Sequence, residues 1–129
     1  MSTRQIIVIR KDLNMRKGKI GAQAAHASMK VFFDAFEDDG STWKVSAALY
    51  NRPAVKEWVN GLFKKIVVSV NSEAELLEIY EKAKEAGLPC SLIQDSGLTE
   101  FKEPTYTAVG IGPAEDSVFP PLTGHLPLL

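Results

Sequence analysis

The chain has 129 residues, of which 45% are hydrophobic and 24% are charged, and its formal net charge is −1. This length predicts a single domain over residues 1–129, and the composition excludes a disordered or fibrous protein. No apolar run approaches the roughly 20 residues that span a bilayer, so we expect no membrane association. The single cysteine, Cys90, excludes an internal disulfide and favours a reducing, cytoplasmic environment.

The first half of the chain predicts one strand followed by helices. Residues 5–10 form a continuous β-branched apolar run, which is typical of a strand buried on both faces. A helix is predicted over residues 18–36, and the charged, glycine-containing segment 37–41 ends it. Residues 42–62 predict one or two helices, with a break or a helix start at Arg52-Pro53.

The second half alternates strands and helices. Strands are predicted at residues 65–70, 90–94 and 106–112. Ser72 and Glu75 form a capping-box pattern that opens a helix, and Gly87 is placed to end it. Pro113 is predicted to begin a short helix that Pro120-Pro121 ends. Strands that are buried on both faces and alternate with helices indicate an α/β sandwich with helices on both faces of the sheet.

The charge is distributed unevenly along the chain. The first 30 residues carry a net charge of +6 and the remainder carries −7. A basic end on an acidic body is compatible with a local anion or nucleic-acid contact. Ordinary surface charge that happens to cluster explains the same pattern, and both interpretations stay open at this point.

The stretch 15–29, MRKGKIGAQAAHASM, places polar groups beside very small side chains. Lys19, Gln23 and His26 would lie along one stripe of a helix. The glycines near the helix start could leave N–H groups accessible to an anion. The small side chains could also let the helix lie close to the sheet or to a ligand; they are Ala22, Ala25 and Ala27. The alternative is a solvated lysine, two buried polar groups with internal partners, and alanines that only permit tight packing.

A second group of candidate residues lies near the end of the third predicted strand. Asp95 closes that strand at its C-terminal edge, where α/β sheets place ligand crevices, and Thr99 follows in the same loop. Thr107 lies in the fourth strand. Asp95-Ser-Gly is also a plain turn sequence. Two distant histidines and no acidic cluster of ligand spacing predict no metal site.

Four separated motifs together carry a resemblance to a known family. In chain order they are KGKIGAQAAHAS, GLPCSLIQDSGLTE, TYTAVGIGPAE and TGHL. In order and spacing they resemble the type 2 peptidyl-tRNA hydrolases, which are typical of archaea and eukaryotes. The resemblance implies a three-layer α/β/α sandwich around a four-stranded mixed sheet. It also implies hydrolysis of the ester between peptide and tRNA, without a metal or organic cofactor.

The resemblance assigns candidate catalytic residues to this sequence, namely Lys19, Gln23, His26, Asp95, Thr99 and Thr107. Our hypothesis is that Asp95, through Thr99 or Thr107, positions and deprotonates a water, while Lys19 stabilises negative charge on the reacting ester. Gln23 would hold the ester, and His26 would support the site or shuttle a proton. The partner is then peptidyl-tRNA, and its phosphates would bind the basic patch Arg10, Lys11, Arg16 and Lys17.

Some positions depart from the family pattern. Leu98 and Glu100 stand where the family usually has arginine and glutamine, which should weaken attraction for tRNA. The segment 32–60 is longer than usual and carries an acidic patch. The alternatives are therefore a non-catalytic member that binds tRNA or a protein, and an enzyme acting on another acylated substrate. The apolar C-terminus, together with the family's tendency to pair, makes a homodimer plausible.

Overall fold

The computed structural model describes the whole chain, residues 1–129. The strands are β1 (Thr3–Arg10), β2 (Phe36–Asp38), β3 (Trp43–Val45), β4 (Lys65–Val70), β5 (Cys90–Asp95) and β6 (Thr105–Glu115). The helices are α1 (Lys17–Phe33), α2 (Ala47–Tyr50), α3 (Pro53–Asn60), α4 (Glu73–Glu85) and α5 (Pro120–Thr123). Two single-turn 3-10 helices follow β1 and β6, at Lys11–Leu13 and Asp116–Val118.

Four strands form one mixed sheet in the order β4-β1-β6-β5. β1 runs parallel to β4 and antiparallel to β6, and β6 runs antiparallel to β5. β1 and β6 are therefore the central strands, and helices cover both of their faces. The four-stranded mixed sheet is confirmed, and so is the prediction that the first strand is buried on both sides.

The sheet separates two hydrophobic cores, because successive side chains of a strand point to opposite faces. On one face, Ile6 and Val8 pack in a cluster with Leu76 and Ile79 of α4. On the other face, Ile7 and Ile9 pack in a second cluster with Ala27 of α1. Full burial of one large aliphatic side chain contributes about 1.5–3 kcal/mol. Since α1 and α4 cover opposite faces, the chain is an α/β/α sandwich, and this fold prediction is confirmed.

α1 lies unusually close to the sheet where it crosses β6. The side chain of Ser91 in β5 donates a hydrogen bond of 2.7 Å to the carbonyl oxygen of Ala27. Gly110 lies beneath that carbonyl, and a Cβ added there would be 2.4 Å from the oxygen. Of the alanines expected to permit close packing, Ala27 faces the sheet, whereas Ala22 and Ala25 are exposed.

Buried hydrogen bonds also hold α1 to the sheet. Gln5 on β1 is fully buried, and its side-chain amide donates to the carbonyl oxygens of Ser28 and Gly112. The hydroxyl of Ser28 donates back to Gln5 Oε1 over 2.5 Å. Since each of these buried polar groups has a partner, the contact fixes the position of the helix along the sheet without an unpaired group.

The hairpin β2–β3 corrects the prediction for residues 36–45. α1 ends at Phe33 rather than at Phe36, and Phe36 pairs with Val45 across a two-stranded ladder. The turn between the strands forms because Asp39 Oδ1 accepts hydrogen bonds from the N–H groups of Ser41 and Thr42. Aromatic and β-branched residues suit strands, so the expectation of a helix at residues 42–45 was wrong. The helices predicted within residues 42–62 are α2 and α3. Pro53 is the first residue of α3, so the predicted helix start at Arg52-Pro53 is confirmed.

The prolines near the C-terminus were also misassigned. Pro113 lies within β6, which continues to Glu115, so no helix begins at that residue. It lies at an irregularity in the pairing of β6 with β1 between Arg4 and Ile6, where a strand can accept a residue without an N–H group. Pro120 and Pro121 begin α5 instead of ending a helix, because the first helical positions need no N–H donor.

The other predicted features of the second half are present. Ser72 caps α4 by accepting a hydrogen bond of 3.1 Å from the Glu75 N–H group, although Glu75 does not return the bond. Gly87 follows the helix with a φ of 73°, a conformation that favours glycine. The C-terminal residues lie along the outer edge of β4, where the Ser69 N–H group donates to the carbonyl oxygen of Pro127. None of the helices has the length and apolar character needed to cross a membrane.

The contact between α1 and β6 can be tested with a paired glycine substitution. We expect Gly110→Ala to destabilise the fold by about 1–3 kcal/mol, because the new methyl group forces α1 away from the sheet. Gly21→Ala on the same helix meets no atom within 4 Å and should stabilise by about 0.5–1 kcal/mol. Urea unfolding measures both, and an unchanged midpoint for Gly110→Ala would contradict this account of the packing.

Candidate active site

The site is built on an ion pair between the first turn of α1 and the last residue of β5. Lys19 Nζ lies 2.5 Å from Asp95 Oδ2, although the two residues are 76 positions apart. Their side chains are only 12% and 11% exposed. The structure therefore brings together, at one end of the sheet, the two residues on which the proposed chemistry depends.

Three donors converge on the carboxylate of Asp95. Oδ2 accepts hydrogen bonds from Lys19 and, over 3.3 Å, from Gln23 Nε2. Oδ1 accepts a hydrogen bond of 2.9 Å from the Gly97 N–H group. The hydrogen bond from Lys19, followed by that from Gly97, holds the pKa of Asp95 below its usual range. The carboxylate is therefore ionised at neutral pH and fixed in orientation.

Gln23 and Thr107 form a second layer beneath the ion pair. Both are buried, at 2% and 0% exposure, and the Thr107 hydroxyl donates to Gln23 Oε1. A carboxylate can only accept hydrogen bonds, so the amide nitrogen of Gln23 must face Asp95 and its oxygen must face Thr107. These two side chains act on the site through Asp95 rather than by reaching into solvent.

A β-bulge places Thr107 in this layer. Ile93 of β5 lies opposite Ala108, but Gln94 lies opposite Tyr106, which leaves Thr107 as the additional residue of β6. Neighbouring strand residues normally face opposite sides of a sheet. Here both Ala108 and Thr107 face α1, where Ala108 packs in the core and Thr107 bonds Gln23. Bulges commonly redirect a side chain next to an active site.

The loop between β5 and β6, residues 96–104, closes over the ion pair. Lys19 Nζ donates a second hydrogen bond, of 2.6 Å, to Thr99 Oγ1. It also lies 5.5 Å from the centre of the Phe101 ring. At the base of the loop, Gly97 has a φ of 83°, and a Cβ there would be 2.5 Å from the backbone of Glu103. The loop therefore needs a glycine at this position.

His26 lies beside the cluster rather than in it. The residue is exposed, forms no side-chain hydrogen bond, and lines a cleft of about 420 Å³ between α1 and β5. We call this the α1–β5 cleft. Its lining residues are His26, Met29, Lys30, Phe33, Asp34, Ile93 and Gln94. Gln94 immediately precedes Asp95 in β5, so the cleft begins one residue from the ion pair, although neither Lys19 nor Asp95 lines it.

The four predicted tRNA-binding residues occupy different environments. Arg10 pairs with Asp12 over 2.6 Å and donates to the carbonyl oxygen of Tyr106, and its side chain is largely covered. Arg16 is exposed and lies 3.7 Å from Glu100. Lys11 and Lys17 are exposed and form no ion pair. Both residues that depart from the family pattern thus lie in the loop over the site, with Glu100 facing Arg16 and Leu98 exposed.

Sequence reasoning did not identify the cleft or Phe101. Met29 and Phe33 follow His26 at intervals of three and seven residues, which places them on the same side of α1. This spacing was a usable signal for the cleft. Phe101 carries no comparable signal, because only the closed loop brings its ring near Lys19. No group of three or more His, Cys, Asp or Glu side chains is arranged to hold a metal ion.

The fold and the cluster define an α/β/α sandwich protein with a lysine–carboxylate site at one end of its sheet. The family model for peptidyl-tRNA hydrolase PTH2 matches residues 3–129. The chain is 46% identical over 126 residues to the peptidyl-tRNA hydrolase of Methanocaldococcus jannaschii, covering 98% of this chain and 99% of that protein. It is 43% identical to the peptidyl-tRNA hydrolase of Sulfurisphaera tokodaii over the full length of both chains. The peptidyl-tRNA hydrolase of Methanopyrus kandleri is 40% identical over 98% of this chain and 97% of its own. The chain belongs to the PTH2 family of peptidyl-tRNA hydrolases.

The ion pair should make stability depend on pH in a defined direction. At pH 7 we expect Asp95→Asn to lower the free energy of unfolding by roughly 1–3 kcal/mol, because Lys19 loses its charged partner. The pKa of Asp95 is lower in the folded chain, so its contribution is present above the unfolded pKa of about 3.9 and is lost as the pH falls through the folded value. The difference between the two proteins should therefore shrink below about pH 4.

Urea unfolding, repeated at intervals of about half a pH unit between roughly pH 2 and 7, measures this difference in the free energy of unfolding. Ser96→Ala is the matched control, because Ser96 is an exposed neighbour without a side-chain hydrogen bond. Its small effect should not change with pH. A constant deficit for Asp95→Asn down to the lowest pH would show that the carboxylate contributes no charge-dependent stability.

Proposed function

We propose that the chain hydrolyses the ester between a peptide, or an N-blocked aminoacyl group, and the terminal ribose of tRNA. Membership of the PTH2 family supports this reaction. The single observation in the structure that carries it is the Lys19–Asp95 pair, a cation and a carboxylate held 2.5 Å apart beside an open cleft. Ester hydrolysis requires both an oriented water and a group that stabilises the oxyanion.

In this mechanism Asp95 orients the attacking water and receives its proton. Its low pKa makes it a weaker base than a free carboxylate, so proton transfer accompanies formation of the bond between water oxygen and carbonyl carbon rather than preceding it. When the tetrahedral intermediate collapses, the bond to the ribose oxygen breaks and the proton passes to that oxygen. The products are free tRNA and the peptide carboxylic acid, which releases its remaining proton to solvent and becomes the carboxylate.

Lys19 supplies the positive charge in the same mechanism. Its ammonium group lies near the start of α1, where the unpaired N–H groups of the helix add to the positive potential. Negative charge develops on the carbonyl oxygen during attack and on the ribose oxygen during departure. A cation with little access to solvent stabilises either charge more strongly than it would in water.

The remaining predicted residues support these two groups. Thr99 accepts a hydrogen bond from Lys19 and is exposed enough to contact the water or the ester. Gln23, held by Thr107, fixes the carboxylate of Asp95 instead of binding the ester itself. His26 lies on the substrate side, where it can support the bound ester or accept a proton at the cleft.

The basic residues near the start of α1 are the proposed contacts to the phosphates of tRNA. Lys11, Arg16 and Lys17 are exposed and available to phosphates of the acceptor end, whereas Arg10 would have to exchange its pairing with Asp12 for a phosphate. Binding through such contacts weakens as the salt concentration rises, and an affinity independent of salt would contradict this part of the proposal. No cofactor enters any step of the mechanism.

We further propose that the enzyme works in the cytoplasm as a homodimer. The free thiol of Cys90 is compatible with a reducing compartment. Large apolar side chains remain exposed at residues such as Leu62, Phe63 and Leu128, and association would cover them. Sedimentation equilibrium tests the assembly, and the mass of one chain at micromolar concentration would refute it.

The role of Lys19 is tested by hydrolysis assays with Lys19→Ala. We expect kcat to fall by about 10²–10³, because an oxyanion-stabilising group is removed, while the fold is retained. Lys82→Ala on α4, on the opposite face of the sheet, should retain full activity. Turnover close to that of the unaltered protein by a folded Lys19→Ala variant would refute the assignment.

The same assay separates the enzyme from a non-catalytic family member. The unaltered protein should release tRNA from an N-acetylated aminoacyl-tRNA and leave the unblocked form intact. Binding of the blocked form without release would indicate the non-catalytic alternative. Release from both forms would indicate an esterase of different specificity.

Thr107 is tested as a positioning residue. We expect Thr107→Val to lower kcat roughly 5- to 150-fold, because the buried oxygen of Gln23 loses its donor and the amide no longer holds Asp95. Thr107→Ser keeps the hydroxyl and should recover most of the activity. KM should change little in both, since Thr107 is fully buried. An equal loss in the valine and serine variants would mean that only the shape of the side chain matters.

A further inference from the structure

We propose that the α1–β5 cleft binds the peptide part of the substrate, with apolar side chains of the last residues of the peptide against Met29, Phe33 and Ile93. The inference rests on the proposed function, because it takes the ester to lie at Lys19 and Asp95. Three observations support it: the position of the cleft, the distribution of charge around it, and the chemistry of its walls.

The position of the cleft sets the direction in which the substrate lies. The exposed basic residues Arg16 and Lys17 precede Lys19 at the start of α1, whereas His26 and Phe33 follow it. With tRNA phosphates on the basic side, the acyl group must extend along α1 in the opposite direction. The helix rises 1.5 Å per residue, so His26 to Phe33 spans roughly 10 Å. An extended peptide advances about 3.3 Å per residue, so this length accommodates about three residues.

The charges around the cleft disfavour RNA. Lys30, the only cation in its lining, is paired with Asp34 over 2.5 Å. Beyond Phe33 the chain enters the hairpin β2–β3, whose first strand and turn contain Glu37, Asp38 and Asp39. Glu37 lies 4.0 Å from Lys44, but Asp38 and Asp39 pair with no cation, so a phosphodiester backbone on this side would be repelled by their carboxylates. An uncharged peptide would meet no such repulsion.

The walls of the cleft suit a peptide. Met29 and Phe33 remain 54% and 45% exposed, which leaves apolar surface available for side chains. The side chains of His26 and Gln94 make no hydrogen bonds within the protein and can bind amide groups of a peptide. Ligand sites typically combine an apolar lining with a few such polar groups.

The hairpin β2–β3 extends this wall. Phe33 also borders a smaller pocket of about 180 Å³ that is lined by Phe36, Asp38 and Trp43. The rings of Phe33 and Phe36 lie 4.6 Å apart, so the aromatic surface is continuous from the cleft into the hairpin. Part of the segment 32–60 thereby has a proposed function, namely to extend the peptide site. The sequence alone suggested no function for it.

The test compares two substrates on the same tRNA, one carrying N-acetyl-trileucine and the other N-acetyl-triglycine. We expect Met29→Ala and Phe33→Ala each to lower kcat/KM for the leucine substrate roughly tenfold, because a hydrophobic pocket loses contacts. The glycine substrate should stay within about twofold, since it presents no side chains to the cleft. Val59→Ala, which shortens an exposed valine of α3 outside the cleft, should affect neither substrate.

Equal losses on both substrates, or no loss on either, would overturn the inference. If the unaltered protein hydrolyses neither substrate, the proposed function fails, and binding then decides the inference separately. The probe for binding is N-acetyl-trileucine joined through an amide to 3′-amino-3′-deoxyadenosine, which cannot be hydrolysed as an ester. Methyl NMR shifts at Met29 and Ile93, without shifts at Val59, would support the peptide site. Their absence at saturating probe would overturn it.

Discussion

The proposed active site depends on one ion pair, between Lys19 and Asp95, which joins the start of a helix to the end of a strand. Neither residue can be placed by local structure alone, because 76 positions separate them. Lys19 and Asp95 come into contact only when α1 has one particular position along the sheet and one particular rotation about its own axis. The buried contacts of Gln5 with Ser28, and of Ser91 with Ala27, fix that placement. Packing that looks purely structural therefore determines whether the site exists.

The carboxylate at the centre of the pair is restrained from every side. Lys19 and Gln23 occupy one oxygen, and the Gly97 N–H group occupies the other. This arrangement lowers the pKa of Asp95 and so exchanges basicity for a fixed orientation. In the proposed ester hydrolysis the lower basicity of Asp95 is tolerated, because a water that is held in line with the carbonyl carbon needs less help from a strong base. In the proposed mechanism, catalysis therefore comes from geometry and charge more than from a single reactive side chain.

Sequence reasoning predicted the parts of the fold that follow regular periodicity. The β-branched run of β1 and the capped helix α4 carry local signals, and both were predicted correctly. The hairpin β2–β3 was not, because its strands are only three residues long and its turn depends on one side chain, Asp39. Pro113 was misassigned for a related reason. Its position in β6 depends on an irregular pairing with β1, which no local pattern records.

The same limit applied to the site. The motifs pointed to the six candidate residues, but they could not distinguish side chains at the surface from those beneath it. The bulge at Thr107 breaks the two-residue alternation of β6, so any argument from strand periodicity would have placed that hydroxyl on the wrong face. The burial of Gln23 likewise depends on how closely α1 approaches the sheet. Which residues touch substrate and which only hold others in place is thus a property of the tertiary structure.

The position of α1 relates the uneven charge of the chain to the proposed site. Five of the seven positive residues of the first 30 positions lie just before α1 or in its first turn, and the carboxylates of the hairpin follow where the helix ends. Peptidyl-tRNA is itself asymmetric, with a dense array of phosphates on one side of its ester and an uncharged chain on the other. A helix with cations before the reacting group and an apolar, acid-bordered cleft after it matches that asymmetry. Orientation of the substrate would then follow from electrostatics before any side chain touches the ester, and the reversed orientation would place phosphates against carboxylates.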